Sequence, residues 1–252
     1  MPPDDLCLWG ILGRLVGERA GDKVALIQAP RAGAGDRPPS LEALKALSAA
    51  LPTYGGAPLF HLEGVTPEAG RWPAPGESIR IRPEELRAAL EEEAAGRGGG
   101  RRRGAAGTGG ADGAAGADVA AGADGAAGAS LVQPLPEPDL VCLGCPHATL
   151  WELQQVCERI GDRRVRLPLW LCTSRPVEAL ARELGIAERL EGQGVTLLCD
   201  TCFVVAPIGG RFRCVATNSA KGVYYARGHG GLRTRLLSME DCVEGAVTGR
   251  FP

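Results

Sequence analysis

Two short cysteine pairs are the residues of this sequence with the clearest chemistry. Cys142 and Cys145 stand three positions apart in LVCLGCPHA, and Cys199 and Cys202 repeat the spacing in LLCDTCFVV. Thiolates bind zinc, iron and iron–sulfur clusters, so both pairs are candidate metal ligands. A zinc ribbon separates its pairs by about 15–20 residues. Here a whole helix–strand–helix pattern intervenes, which favours a site assembled from distant loops.

The position of each cysteine on its predicted strand selects one ligand from each pair. Cys142 lies inside the first strand, whereas Cys145 lies at its end. Because successive side chains of a strand alternate between its two faces, Cys199 and Cys202 point to opposite sides of a regular strand. We therefore expect Cys145 and Cys202 to meet at a shared strand end, and Cys142 and Cys199 to belong to the core.

Two thiolates alone do not hold a metal, and a third candidate is Cys242. It stands near the start of the last predicted helix, in MEDCVEGA, where the helix N-terminus would stabilise a thiolate. Three thiolates from three loops suit an iron–sulfur cluster with one open iron, or a mononuclear metal. A redox pair is the other interpretation, but it belongs at the start of a helix, and Cys142 comes too early for that.

The composition narrows the class of protein. The 252 residues have a net charge of −2, so we expect no general binding to nucleic acid or to membrane surfaces. The N-terminus lacks the basic region of a signal peptide, which predicts a cytoplasmic protein. The sequence has nine cysteines. Four of these stand singly in apolar stretches, and we expect them to be small buried hydrophobes: Cys7, Cys157, Cys172 and Cys214.

The order of predicted elements gives an α/β fold. Strands and helices alternate over residues 131–252, which predicts βαβ units and a parallel sheet whose ligands bind at the carboxyl ends of the strands. Residues 1–95 carry helix and strand signals, with Ser40 as the N-cap of a helix that begins at Leu41. Residues 96–130 are almost wholly Gly, Ala and Arg, and we expect a disordered insertion there.

Polar side chains follow two of the predicted strands. Asn218, Ser219 and Lys221 stand in a short turn of small and polar residues, where Lys221 could bind an anionic substrate or lie on the surface. His61 and Thr66 stand in a Gly-Pro turn, although His61 alone could equally be a hydrogen-bonded core histidine. A second histidine, His147 beside Cys145, is a stronger candidate for a functional group.

These stretches together resemble the aconitase X catalytic domain family. LKALSAALPTYGGAPLFHLEGVTPEA is similar to the family's helix-to-strand stretch before a GVTPEA turn. Four later blocks are similar in the same order: LGCPHATLWELQ, LCDTCFVVAPI, ATNSAKGVYYARG and MEDCVEGAVTGR. The similarity covers about residues 1–92 and 131–252, so we expect two parts of an aconitase X-like catalytic domain, 1–95 and 131–252, on either side of the insertion.

The resemblance implies a function. Members of the family are hydro-lyases that dehydrate mevalonate 5-phosphate or cis-3-hydroxy-L-proline, with an iron–sulfur or iron centre held by cysteines. Such a centre acts as Lewis acid on the leaving hydroxyl, while a base removes a proton beside a carboxylate. The implied metal ligands are Cys145, Cys202 and Cys242. The implied catalytic residues are Ser219, Lys221 and His147, and the implied substrate-binding residues are His61, Thr66 and Asn218.

The resemblance also implies a partner. Family members have a longer large subunit and a small swivelling domain, fused or separate, so we expect this chain to be N-terminally truncated and to bind such a small subunit. Two alternatives stay open at this point. One is a zinc-stabilised, non-catalytic binding protein that uses both CxxC pairs, and the other is an inactive truncated paralogue.

Overall fold

The computed structural model of the chain describes most of its two aconitase X-like parts. The described residues are 4–28, 38–71, 73, 75–97, 135–208, 210–230 and 232–252. The predicted insertion at 96–130 lies outside them except for residues 96 and 97. No helix in these ranges is long and apolar enough to cross a membrane.

The N-terminal part pairs a helical layer with a small sheet. Its elements, in chain order, are helix α1 (Leu6–Ala20), strand β1 (Ala25–Ile27), helix α2 (Leu41–Gly55), strand β2 (Phe60–Leu62) and helix α3 (Pro83–Ala94). The side chain of Ser40 accepts a hydrogen bond from Ala43 N, which confirms the predicted N-cap of α2. Strands β1 and β2 pair in parallel, with Leu26 opposite His61.

The C-terminal part alternates strands with helices, as the sequence predicts. Its elements are β3 (Leu140–Ala148), α4 (Leu150–Ile160), β4 (Leu169–Thr173), α5 (Arg175–Glu183), α6 (Ile186–Gly192), β5 (Thr196–Cys199), β6 (Cys214–Thr217), α7 (Ala220–Gly230), β7 (Arg233–Leu236) and α8 (Met239–Thr248). The α/β class with a parallel sheet is therefore confirmed.

The five C-terminal strands form one parallel sheet in the order β5-β4-β3-β6-β7. Strands β4 and β5 follow one another on one side of β3, and strands β6 and β7 follow one another on its other side. In sheets of this kind, ligands bind at the carboxyl ends of the two strands where the order reverses. The point of reversal lies between β3 and β6, directly below the Cys145 and Asn218 segments.

The two faces of the sheet are covered differently. Helices α4, α6 and α8 bury one face over an aliphatic core that includes Leu143, Leu153 and Leu171. The segment that follows β5 crosses the other face, and its residues 200–208 form no helix and bury Phe203 and Ile208 against β3 and β4. This crossing carries Cys202 from an edge strand to the centre of the sheet.

Some local predictions were wrong. The sequence pattern of ESIRIR predicts a strand before α3, but residues 77–82 form none. The helix signals of residues 175–194 are borne out by two helices, which meet at Gly185, where a φ of 71° separates α5 from α6. The predicted turn around Lys221 is instead the first turn of α7. The four singly placed cysteines are all buried, as expected.

Strand β3 bulges away from β4 near its carboxyl end. Leu143 lies opposite Leu171 and Ala148 lies opposite Thr173, so β3 has four residues, 144–147, where β4 has Cys172 alone. Gly144 begins the bulge with a φ of 91°, and a Cβ atom there would lie 2.0 Å from the carbonyl oxygen of Cys172. Only glycine fits this position, because both the backbone angle and the space exclude a side chain.

Replacing Gly144 should therefore destabilise the fold. We expect Gly144→Ala to lower the free energy of unfolding by about 2–4 kcal/mol, since it adds a clash and a strained φ. Gly192→Ala is the matched control: its Cβ would meet nothing within 4 Å, so a change within about 1 kcal/mol is expected. Urea unfolding of both variants measures the difference, and equal midpoints would contradict the account of the bulge.

Asp139 fixes the start of β3 to the start of β6. Its carboxylate accepts hydrogen bonds from Arg213 N at 3.0 Å and Cys214 N at 3.0 Å, and it pairs with the Arg213 guanidinium at 3.1 Å. Partial burial works to raise the pKa of Asp139, but these donors outweigh it and lower the pKa below its usual range.

The lowered pKa of Asp139 makes its contribution to stability depend on pH. The contribution is present above the unfolded pKa of about 4 and is lost as pH falls through the folded pKa. We expect Asp139→Asn to lower the free energy of unfolding by about 1–2 kcal/mol at pH 7, with a gap to the wild type that narrows in acid. Unfolding at pH 7 and pH 3 tests this, with the exposed Asp162→Asn as control. If the difference in unfolding free energy between the wild type and Asp139→Asn is the same at both pH values, ionisation of Asp139 does not contribute to stability.

Candidate functional site

The carboxyl edge of the sheet brings two thiols together from separate segments of the C-terminal part. The bulge of β3 presents Cys145, and the segment that crosses after β5 presents Cys202. Cys202 packs against the buried cluster that contains Cys145, and each thiol shifts the pKa of the other. The structure therefore places Cys145 and Cys202 at one point, beside the reversal of strand order between β3 and β6.

The two thiols differ in their preferred charge. The neighbouring Cys145 thiol lowers the pKa of Cys202, and the amides of Val204 and Val205 lower it further, although burial opposes them. The Cys202 thiol and burial both raise the pKa of Cys145. Of the two sulfurs, Cys202 is therefore the one that favours the thiolate form. Thiolate sulfur is the form that binds metals.

A second pair of thiols lies behind the first. The sulfurs of Cys142 and Cys172 are 3.8 Å apart, and both side chains are fully buried in the core between β3 and β4. This confirms the expectation that Cys142 belongs to the core. Cys199 is half-buried at the end of β5. The cysteines that are close in the sequence are therefore not the ones that pair in the fold. Cys142 neighbours Cys172, and Cys145 neighbours Cys202.

Ser219 joins the start of α7 to the bulge. Its hydroxyl donates to the carbonyl oxygen of Cys145 and accepts from Gly222 N at 2.9 Å. Both roles of the hydroxyl are structural, because it caps α7 and holds the backbone of Cys145. Asn218 is buried beside it, and its carbonyl oxygen accepts a weak hydrogen bond from the Cys7 thiol at 3.8 Å.

Near the thiols lie a positive charge, the ammonium group of Lys221, and an imidazole ring, that of His147. The ammonium group of Lys221 lowers the pKa of Cys145 from a distance, and it makes no hydrogen bond to the described residues. The ring of His147 contacts the carbonyl oxygen of Thr201 through Nε2 at 3.2 Å. Because a carbonyl oxygen only accepts, Nε2 carries the proton in the neutral ring, which leaves Nδ1 as an acceptor.

A buried ion pair that the sequence patterns did not indicate holds this turn from the other side. Lys45 of α2 pairs with the carboxylate of Glu152 and donates to the carbonyl oxygen of His147 at 3.0 Å. Glu152 also accepts from Thr149 N at 2.8 Å as the third residue of a capping box at the start of α4. The Thr149 hydroxyl donates to Glu42 of α2 at 3.1 Å.

These contacts tie the N-terminal helical layer to the turn that carries Cys145. Lys45, Glu42 and Glu152 line a small cavity together with Cys145 and Ser219. The TLWE capping box is the one feature of the sequence that points to Glu152, because it places a glutamate three residues after Thr149. Nothing in the sequence joins that glutamate to a lysine in α2.

Cys242 lies elsewhere in the molecule. It is a fully buried residue of α8 whose sulfur lies 3.7 Å from the carbonyl oxygen of Leu237, and burial and the neighbouring Cys7 thiol raise its pKa. Across the described ranges, no three His, Cys, Asp or Glu side chains form a group that could hold a metal ion. The expected third ligand is therefore not brought to Cys145 and Cys202, because α8 packs against the helix-covered face of the sheet.

The two predicted contacts in the N-terminal part also lie apart from the thiols. Thr66 closes its own loop, since its hydroxyl accepts from Leu62 N at 2.9 Å and donates to Leu62 O at 3.2 Å. His61 is buried in β2, and neither side chain is among the described residues that line the small cavity. Their role in substrate binding stays a prediction.

Family comparisons agree with this architecture over most of the chain. A model of the aconitase X second domain matches residues 2–91, and a model of the aconitase X third domain matches residues 138–248. The parallel α/β sheet of the C-terminal part thus corresponds to the aconitase X third domain. The chain belongs to the aconitase X family, as its sequence blocks indicated.

Relatives of known name are about twice as long as this chain or longer. The large subunit of phosphomevalonate dehydratase from Methanosarcina mazei is 29% identical over 244 residues, which are 96% of this chain and 49% of that protein. The cis-3-hydroxy-L-proline dehydratase of Pseudomonas aeruginosa is 32% identical over 264 residues, with 98% of this chain and 38% of that protein covered.

A solved structure shows the same fold. The holo-form of aconitase X from Thermococcus kodakaraensis superimposes with a TM-score of 0.71 at 28% identity, over 96% of this chain and 52% of that chain. The chain therefore spans about half the length of this relative and of the phosphomevalonate dehydratase large subunits that it matches.

The ion pair of Lys45 and Glu152 gives a test of the site's support. We expect Lys45→Met to lower the free energy of unfolding by about 1–3 kcal/mol, because it leaves a buried carboxylate without its cation. Adding Glu152→Gln should recover most of that loss in a double-mutant cycle. The exposed pair of Lys23 and Glu77 is the control, and Lys23→Met should leave the unfolding midpoint nearly unchanged because solvent screens that pair. Additive effects of the two site substitutions would show that Lys45 and Glu152 do not interact.

Proposed function

We propose that this chain forms part of a dehydratase that removes water from a small hydroxy acid, with Cys145 and Cys202 as two ligands of an iron or iron–sulfur centre. The observation that carries the proposal is the proximity of these two thiols at the strand-order reversal, where Cys202 packs against the cluster of Cys145 and each thiol shifts the pKa of the other. Membership of the aconitase X family supports the reaction type, because the named relatives are dehydratases.

The chemistry of the donor set fits an iron centre. Cys145 and the amides of Val204 and Val205 lower the pKa of Cys202, and Cys145 would lose its own proton on binding a metal. Thiolates are the usual ligands of iron–sulfur clusters. The described residues offer two such sulfurs at one point, so the pair fits as a partial ligand set. When bound, the centre would supply a Lewis acid for the hydroxyl that leaves.

The chain's own polar groups have distinct parts in this proposal. The half-buried ammonium group of Lys221 binds the carboxylate of the hydroxy acid, since it has a charge and no hydrogen bond to the described residues. Nδ1 of His147 accepts the proton removed beside that carboxylate, because Nε2 is directed to Thr201 O. Ser219 acts as a positioning residue that holds the Cys145 backbone, and Asn218 borders the same cavity.

Two substrates and one protein partner follow from the relatives. Cis-3-hydroxy-L-proline and mevalonate 5-phosphate each carry a carboxylate and a hydroxyl, which are the groups that Lys221 and the centre would address. The cavity beside Cys145 has a volume of about 20 Å³, room for one water, so the substrate lies outside it against Cys202 and His147. A small subunit, implied by relatives named as large subunits, would cover the substrate there.

Iron binding tests the ligand assignment directly. After anaerobic reconstitution, we expect the wild-type chain to retain iron, and Cys145→Ala and Cys202→Ala each to lose most of it, since either change leaves one thiolate. The control is Cys157→Ala, which removes a buried thiol on α4 and should keep the metal. Cys242→Ala should also keep it, because the structure places Cys242 away from the pair. Full iron retention in both site variants would refute the assignment.

The reaction itself is tested with the small subunit added. Reconstituted protein is assayed against cis-3-hydroxy-L-proline and mevalonate 5-phosphate, and loss of water from one of the two is the expected result. Zinc in place of iron, with no dehydration of either compound, would instead favour the metal-stabilised binding protein. Iron binding without turnover would favour an inactive paralogue.

A further inference from the structure

A groove lined by arginines lies at the opposite edge of the sheet from the thiols. It has a volume of about 510 Å³ and forms where the connection from α4 to β4 passes the end of α8. Six residues line it: Arg163, Arg164, Arg166, Val247, Thr248 and Arg250. Four of the six are cations and none is an acid, in a chain whose net charge is −2. Nothing in the dehydratase proposal uses this surface.

Three of the four guanidinium groups have no partner in the described part of the protein. Arg163 is occupied, since it pairs with Glu244 at 2.8 Å and donates to the carbonyl oxygens of Ile160 and Arg159 at the end of α4. The side chains of Arg164, Arg166 and Arg250 are exposed and make neither an ion pair nor a hydrogen bond within the described ranges. These three positive charges repel one another, and an anion bound between them would remove the repulsion.

The backbone that carries these arginines is held in place. The amides of Arg166 and Leu167 both donate to the carbonyl oxygen of Ala246 in α8, at 2.8 and 3.0 Å, and Val165 N donates to Gln193 O at 2.9 Å. At the end of α8, the Thr248 hydroxyl accepts from Arg250 N at 3.2 Å. A ligand would therefore order side chains only, because the loop already has its conformation.

We propose that this groove binds a small anion with two or more adjacent phosphate groups. Guanidinium groups match phosphate oxygens in paired hydrogen bonds, and three unpartnered guanidinium groups match the charge of a diphosphate or triphosphate. The volume of the groove is that of a small-molecule site. An extended nucleic acid needs a longer basic track than this one, which Glu244 and Asp162 border with negative charge.

Calorimetric titration of the full chain with tripolyphosphate and with ATP tests the proposal. We expect both to bind, and Arg164→Gln/Arg166→Gln to weaken tripolyphosphate at least about tenfold, since two charged contacts are lost. The matched control, Arg71→Gln/Arg87→Gln, removes the same charge from exposed arginines elsewhere and should leave affinity within about twofold. Raising the salt concentration should weaken binding of both anions.

Several outcomes would overturn the proposal. Absence of binding by tripolyphosphate excludes a polyphosphate site, whether or not ATP or a single-stranded oligonucleotide binds. If both double variants lose affinity equally, tripolyphosphate is attracted by the overall charge of the protein and does not bind at this groove. Unfolding midpoints measured for both variants separate a lost fold from a lost contact, because substitutions of exposed arginines should leave the midpoints unchanged. Since no measurement here depends on iron or turnover, failure of the dehydratase proposal leaves this test intact.

Discussion

The bulge at the end of β3 is the constraint from which the rest of the site follows. Four residues of β3 stand where β4 has only Cys172, and Gly144 is the residue that lets the backbone leave the ladder there. The bulge lifts Cys145 and His147 out of the strand toward the carboxyl edge of the sheet. A regular strand would direct both side chains into the core that Leu143 enters, because residues two positions apart share a face.

Three separate parts of the chain meet at that bulge, and each contributes a different kind of interaction. The segment after β5 brings a thiolate, Cys202. The start of α7 brings the Ser219 hydroxyl, which holds the Cys145 carbonyl. Helix α2 brings Lys45, which holds the His147 carbonyl and neutralises Glu152. The site is thus supported by both aconitase X-like parts of the chain, and the small cavity is bordered by the partly buried ion pair of Lys45 and Glu152 and by hydrogen bonds.

Features that depend on local sequence patterns could be predicted, whereas residues brought together by long-range packing could not. Alternating strands and helices gave the sheet, and strand geometry selected Cys145 and Cys202, because the ends of parallel strands share an edge. Cys242 was assigned from its place near a helix start, but that helix packs on the opposite face. Lys45 could not be found, since its partners lie about a hundred residues away and only the fold joins them. Helix α7 was read as a turn because its first residues are small and polar.

The most direct test of the central claim is a cross-linking measurement on the metal-free protein. A short bifunctional reagent such as dibromobimane becomes attached to the half-buried Cys202 first and can then reach only a thiol in contact with it. Peptide mass spectrometry should find Cys202 joined to Cys145, and the product should disappear in Cys145→Ala. Cross-links from Cys202 to any other cysteine, or single attachment alone, would show that the two sulfurs do not share a site.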